Sequence, residues 1–187
     1  EPQPERSGAV IRNRQRLDAL GIPYQEFYKV IEFGNNLDEE DCNRLEEALL
    51  KMGILDALVI DEQYKEQVLH LEQGCEDHYL FSCKNVQKEL QPGKSLLDVL
   101  ELNEEVNDIF SNQRLTGILG SIAYDNESMI TVAEDGTYRI GVLAGTVTGE
   151  YEAGFLGTKA RERHRQAKME ACRQRNAELE EVLQQLE

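Results

Sequence analysis

The chain is short of nearly everything that marks an enzyme or a membrane protein. Its 187 residues contain three histidines, four cysteines and four prolines. No apolar run approaches the roughly 20 residues needed to span a bilayer, which excludes a helical membrane anchor within this sequence. No basic flank followed by an apolar stretch opens the chain, which begins at Glu1, so the expectation is an internal segment of a longer cytoplasmic protein. Cys42, Cys75, Cys83 and Cys172 form no CxxC pair and are too sparse for a disulfide scaffold; they read as reduced thiols. His70, Cys75, His78 and Cys83 lie close enough to be weighed as zinc ligands. The segment "HYLFSC" reads as a strand, however, which would turn His78 and Cys83 to opposite faces, so no metal is expected.

Catalytic signatures are missing as well. "PGKS" at 92–95 resembles the end of a phosphate-binding loop, but Lys88 stands where the loop needs its first glycine, and in "GFLGTK" Thr158 separates glycine from lysine. There is no nucleophile elbow, HExxH helix or dinucleotide fingerprint. His164 lies in a basic stretch with no acid beside it to orient the ring. The run "DEED" at 38–41 is explained by the favourable field of carboxylates at a helix start. No cofactor and no catalytic residue are expected.

What the chain does have is charge, unevenly placed. Its formal net charge is −16, and residues 18–157 hold 9 Lys+Arg against 28 Asp+Glu, a balance of −19. Residues 158–175 hold 7 basic against 2 acidic, a balance of +5, and Arg6, Arg12, Arg14 and Arg16 make the other end locally basic. An acidic body between basic ends repels nucleic acid on average. Contact with a phosphate backbone is expected only at the ends, from Arg12, Arg14, Arg16, Lys159, Arg161, Arg163 and Arg165; the alternative is a solvated, ion-paired helix surface.

The pattern alternates helix and strand. Val10, Leu17 and Leu20 repeat at seven and three, as on a coiled-coil seam, and Cys172, Leu179, Val182 and Leu186 repeat the spacing at the other end. Between them, "PYQEFYKVIEF" predicts a strand with irregular alternation. Residues 37–52 predict an amphipathic helix ended by Gly53. "DALVID", a helix over about 61–72 and "HYLFSC" predict a strand–helix–strand crossover with parallel pairing. "PGKSLLDVL" and "NEEVNDIFSN" read as two short helices, and "SMITVAEDGTYRIGVLAG" as a hairpin turning at Asp135-Gly136. The expected organisation is an incoming helical arm at 1–20, an α+β body with a mixed sheet at 21–156 and a returning arm at 157–187, the arms running antiparallel.

Two further sites follow. Phe155, Leu156 and Gly157 stand where the body meets the last helix and are expected to fix its exit angle. The least charged stretch, Leu115 to Tyr124, is the expected self-association surface, through Leu115, Gly117, Ile118, Gly120, Ile122 and Tyr124, because like charges oppose each other in a symmetric contact. The alternative is that these residues fill the core.

The arm–body–arm layout and the stretch "DGTYRIGVLAGTVTGEYEAGFLGTKARERHR" resemble the hinge of the JetC-type SMC-like ATPase of Wadjet (EptABCD) plasmid-defence systems, and more distantly the MukB hinge. The likeness extends to "LGIPYQEFY" and "ALLKMGILDALVI", and the matched positions are Gly136, Arg139, Gly141, Gly145, Phe155, Gly157, Ala160 and Arg161. The resemblance implies a homodimerising, non-catalytic hinge. ATPase heads would lie elsewhere in the parent protein, with kleisin, accessory condensin and nuclease subunits as partners and circular plasmid DNA as the target. Without the resemblance, an acidic DNA-mimic or adaptor domain with coiled-coil arms fits the same composition, and a stand-alone enzyme is disfavoured by the failed motifs.

Overall fold

A computed structural model describes residues 2–70, 72–81, 93–103 and 112–186. Helix α1 (Gly8–Ala19) is capped by Ser7, whose hydroxyl accepts from Val10 N–H. The aromatic stretch after it is not one strand. It divides into β1 (Tyr24–Glu26), a single helical turn α2 (Phe27–Val30) and β2 (Ile31–Phe33). The turn explains the irregular alternation: Phe27, Tyr28, Val30 and Ile31 all reach the interior.

Helix α3 (Glu39–Lys51) starts at Asp38, whose carboxylate accepts from Asp41 N–H, and ends at Gly53 with φ of 74°. Then come β3 (Leu58–Ile60), a 3-10 turn over Glu62–Tyr64, α4 (Lys65–Leu69) and β4 (Tyr79–Leu80). As the crossover pattern predicts, β3 and β4 are parallel, while β1 is antiparallel to β3 on its other side.

Residues 96–102 depart from expectation. Leu96–Asp98 form a 3-10 turn held by a Ser95–Asp98 capping box, and β5 (Leu100–Leu102) pairs antiparallel with β2. The run is too short for a helix, and its apolar residues pair with a distant strand. Most of "NEEVNDIFSN" lies outside the described residues.

Helix α5 (Asn112–Gly120) leads into a four-stranded sheet in the order β6 (Ala123–Tyr124), β7 (Ile130–Val132), β8 (Tyr138–Ile140), β9 (Leu143–Gly145). The β7–β8 hairpin turns at Asp135-Gly136, with Gly136 at φ 85°. Helix α6 (Thr158–Leu186) ends the chain. The fold is α+β with small mixed sheets, and no helix among the described residues is long and apolar enough to cross a membrane.

The larger core joins α2, α3, α5 and the strands around them; a smaller one holds Leu17, Ile22, Leu58, Ile60 and Val68. Leu17, read as a seam position, is therefore core, whereas Leu20 is exposed. Of the three spaced positions only Leu17 joins the smaller core, with Leu58 and Ile60 of β3.

Candidate functional site

The strongest concentration of unusual chemistry lies where α6 leaves the body, and three glutamates build it. Glu46 sits inside α3 with its side chain fully buried. Its carboxylate accepts from Gly154 N–H at 2.8 Å, Phe155 N–H at 3.2 Å, Leu156 N–H at 2.7 Å and the Tyr151 hydroxyl at 2.7 Å. Burial pushes the Glu46 carboxyl above its usual range, and those four hydrogen bonds pull against the shift. Glu47, one residue on, accepts from Thr148 N–H and Oγ1, both at 2.9 Å. Burial acts upward on Glu47 too, but the Thr148 bonds and Lys51 outweigh it and hold the carboxyl low. Glu32 of β2 accepts from the Thr158 N–H at 2.8 Å and its hydroxyl at 2.6 Å, placing a carboxylate on the first turn of α6, where the helix field favours negative charge.

A β-carbon on Gly157, whose φ is 89°, would lie 2.9 Å from Glu32 Oε2, so both the backbone conformation and the close approach call for glycine. Leu156 enters the core completely, and Phe155, half-buried, packs edge-on against Tyr28 with centroids 6.2 Å apart. His164, nearly two turns into α6, lies over Phe155 at 5.2 Å and against Gly154. Burial, aided by Lys168, pushes its pKa down. Arg161 closes the joint by donating to the carbonyls of Tyr28 at 3.2 Å and Phe155 at 3.0 Å.

Phe155, Leu156 and Gly157 thus sit at the joint, and sequence reasoning missed the glutamates opposite them. Glu46 flanks the apolar face of α3 and reads as an ordinary edge-of-face charge, because its partners stand more than 100 residues away. No local signal identifies it.

The basic residues divide. Arg14 is a correction: it is buried, with Nη2 on Asp56 at 3.0 Å and Nε on Asp77 at 3.0 Å, and Arg6 joins the network through Asp56 and Glu26. The carboxylates of Asp77, buried, and Asp56, half-buried, consume its charge, and it offers nothing to a phosphate. Arg12 spends its guanidinium on Gly74 O, and Arg16 is half-buried beside Tyr79. Lys159, Arg163 and Arg165 are exposed on α6, with Arg163 3.5 Å from Glu39. A cleft of about 770 Å³ lies between the two basic ends, lined by Ile11, Arg14, Gln15 and Asp18 on one side and His164 and Lys168 on the other.

The proposed self-association stretch is the second correction. Leu115, Ile118, Gly120, Ile122 and Tyr124 are buried within the chain's own core, and Gly117 is half-buried. Their low charge reflects interior packing. Among the described residues no cluster of three or more His, Cys, Asp or Glu side chains could hold a metal, and Cys83 lies outside them.

The joint therefore defines a class by geometry: an α+β body from which a long, exposed helix leaves at a fixed angle. No family model and no curated protein matches the chain. Among solved structures it is similar to a Pyrococcus furiosus Smc hinge domain with an extended coiled coil, at 20% identity and a TM-score of 0.43, over 94% of this chain and 68% of that one.

Proposed function

We propose that the chain is the homodimerising hinge of an SMC-like ATPase, with α6 as one helix of a coiled coil leading toward ATPase heads. The observation that carries this reading is α6 itself. It runs for 29 residues, and every residue from Arg165 to Gln184 is exposed. Leu179, Val182 and Leu183 are 49–64% exposed, an apolar stripe with heptad-like spacing and no partner among the described residues. A helix of this kind gains its stability from a second helix laid along the stripe. A helix meant to transmit orientation also needs a rigid base, which the Glu46, Glu32 and Arg161 contacts supply.

The finer reading is a JetC-type hinge in a Wadjet plasmid-defence complex, and it rests on the sequence resemblance across residues 135–165. Kleisin, accessory condensin and nuclease subunits and plasmid DNA would then be partners of the whole protein, in the cytoplasm, and the hinge itself carries no catalysis. Sedimentation velocity tests the hinge reading: a mass of two chains is expected at micromolar concentration. A monomer up to about 100 μM would overturn it and favour the acidic-adaptor alternative that the −19 body suits. For the finer reading, a parent protein carrying a monomeric hinge is expected to stop eliminating plasmids.

A further inference from the structure

Among the described residues, the four-stranded sheet has one closed side and one open side. At β6 it is closed by the Ser95–Ala123 bridge and by bonds from Leu96 N–H to Ile122 O and Tyr124 N–H to Lys94 O. At the other side β9 is the outermost strand.

The hairpins determine which way β9 turns its backbone. Gly141 N–H donates to Met129 O across the β7–β8 pair, in register with Ile130↔Ile140. Hydrogen-bonded and non-bonded pairs alternate along an antiparallel ladder. Residues 139 and 141 therefore face β7, and residues 138 and 140 face β9. Ile140 pairs with Leu143 and Tyr138 with Gly145, so those two β9 residues spend their backbone groups inward. Ala144, between them, turns both its N–H and its C=O away from the sheet.

Such an edge is a template for another strand, and proteins usually blunt it with lysine, proline or a bulge. Here the run Gly141 to Gly149 contains no charged residue and no proline. Val142 is fully exposed, Leu143 is 60% exposed and nearby Met129 59%.

We propose that β9 pairs antiparallel with β9 of a second copy of this chain, about a two-fold axis through Ala144, joining the two sheets into one. This deepens the hinge reading and rests on it. Three observations select a second copy as the occupant. In a chain of net charge −16, an uncharged strip is where two copies meet without opposing like charges. The outward N–H and C=O of Ala144 are self-complementary across a two-fold axis. In that register Leu143 of one copy falls opposite Gly145 of the other, which has no side chain. The hydroxyl of Tyr138 sits where a β-carbon on Gly145 would be, so Leu143 would rest on an aromatic side chain.

Three variants of the 187-residue chain test the pairing in sedimentation velocity. Ala144→Pro removes the outward N–H, which has no partner among the described residues of the protomer, and proline is tolerated at such an edge. Leu143→Glu places two carboxylates at the contact. Each is expected to raise the dimer dissociation constant on the order of tenfold or more with an unchanged circular dichroism spectrum. Ala144→Cys in a Cys172→Ser background is expected to form a disulfide-linked dimer under mild oxidation, because directly opposed, hydrogen-bonded Cα atoms lie about 5.5 Å apart. A wild-type dimer that survives Leu143→Glu and gives no Ala144→Cys crosslink would overturn the β9 contact and leave the hinge reading standing. A wild-type chain that is monomeric throughout would overturn both. If Ala144→Pro unfolds, the other two variants still decide.

Discussion

Replacing Glu46 is the most informative perturbation of the joint. In Glu46→Ala the N–H groups of Gly154 and Leu156, both buried, lose their acceptor, as do Phe155 N–H and the Tyr151 hydroxyl. A buried donor left unpaired costs about 1–3 kcal/mol. Counting only the two fully buried amides, the loss is about 2–6 kcal/mol, reduced by relief of the buried charge. Glu46→Gln keeps one acceptor oxygen for Gly154 and Tyr151 but turns an NH2 toward Leu156 N–H, so about 1–3 kcal/mol is expected. At about 2–4 °C per kcal/mol for a chain of this size, Glu46→Gln lowers Tm by roughly 2–12 °C and Glu46→Ala by more.

The sign of the pH dependence is fixed independently. The folded pKa of Glu46 is raised above 4.5, so between the two values the folded chain holds a proton that the unfolded chain has released, and stability falls as pH rises through that window. The margin of wild type over Glu46→Gln is therefore largest at the acid side and narrows toward alkaline pH. Thermal unfolding across pH, with amide exchange at Gly154 and Leu156, measures all of this. An unchanged Tm with retained amide protection in Glu46→Ala, or a Glu46→Gln protein more stable than wild type at every pH, would refute the reasoning.

Leu156→Ala, at a fully buried site, is expected to cost about 2–5 kcal/mol, and Phe155→Ala less because the ring is half-buried; urea unfolding of the pair checks the ranking. Arg14→Ala should destabilise by about 3–5 kcal/mol, chiefly by leaving the buried Asp77 carboxylate without its cation while Asp56 keeps Arg6, and DNA affinity at low salt should not change, which a labelled-duplex titration tests. The His164 pKa lies below its unfolded value of 6.5, so the neutral ring's contribution is present above about pH 6.5 and is lost as pH falls below it; His164→Gln should flatten that part of the Tm profile.

The elements that were legible in the sequence are those whose signal is local. Helix α3 shows its acidic first turn, its apolar repeat and its glycine stop within fifteen residues. The β7–β8 hairpin is written in Asp135-Gly136 and the flanking β-branched runs. The β3–α4–β4 crossover follows from element order, because two strands joined through a helix pair in parallel most simply. The misread elements depend on distant partners. Leu100–Leu102 is a strand only because Ile31–Phe33 lies beside it, and Leu115–Tyr124 lacks charge because α5 faces the core.

Charge was the least legible property, and the reason is physical. Sequence patterns assign charged residues to solvent because burial of an ion is costly, yet here Arg14, Glu46 and Glu47 are buried, each with its polar atoms answered. Arg14 answers acids on two other segments, and Glu46 answers backbone amides of a loop rather than a cation. Helix α6 shows the converse case. Its cations stay exposed because, among the described residues, no carboxylate-bearing surface covers the helix beyond its first turns. Most of the positive charge available to an outside partner therefore lies along α6, although the two stretches are similarly basic in sequence; in α1 only Arg12 is exposed, with its guanidinium held on the Gly74 carbonyl. A phosphate backbone reaching this chain would meet Lys159, Arg163 and Arg165 first, beside a body whose carboxylates repel it, so any such contact would have to run outward along the helix.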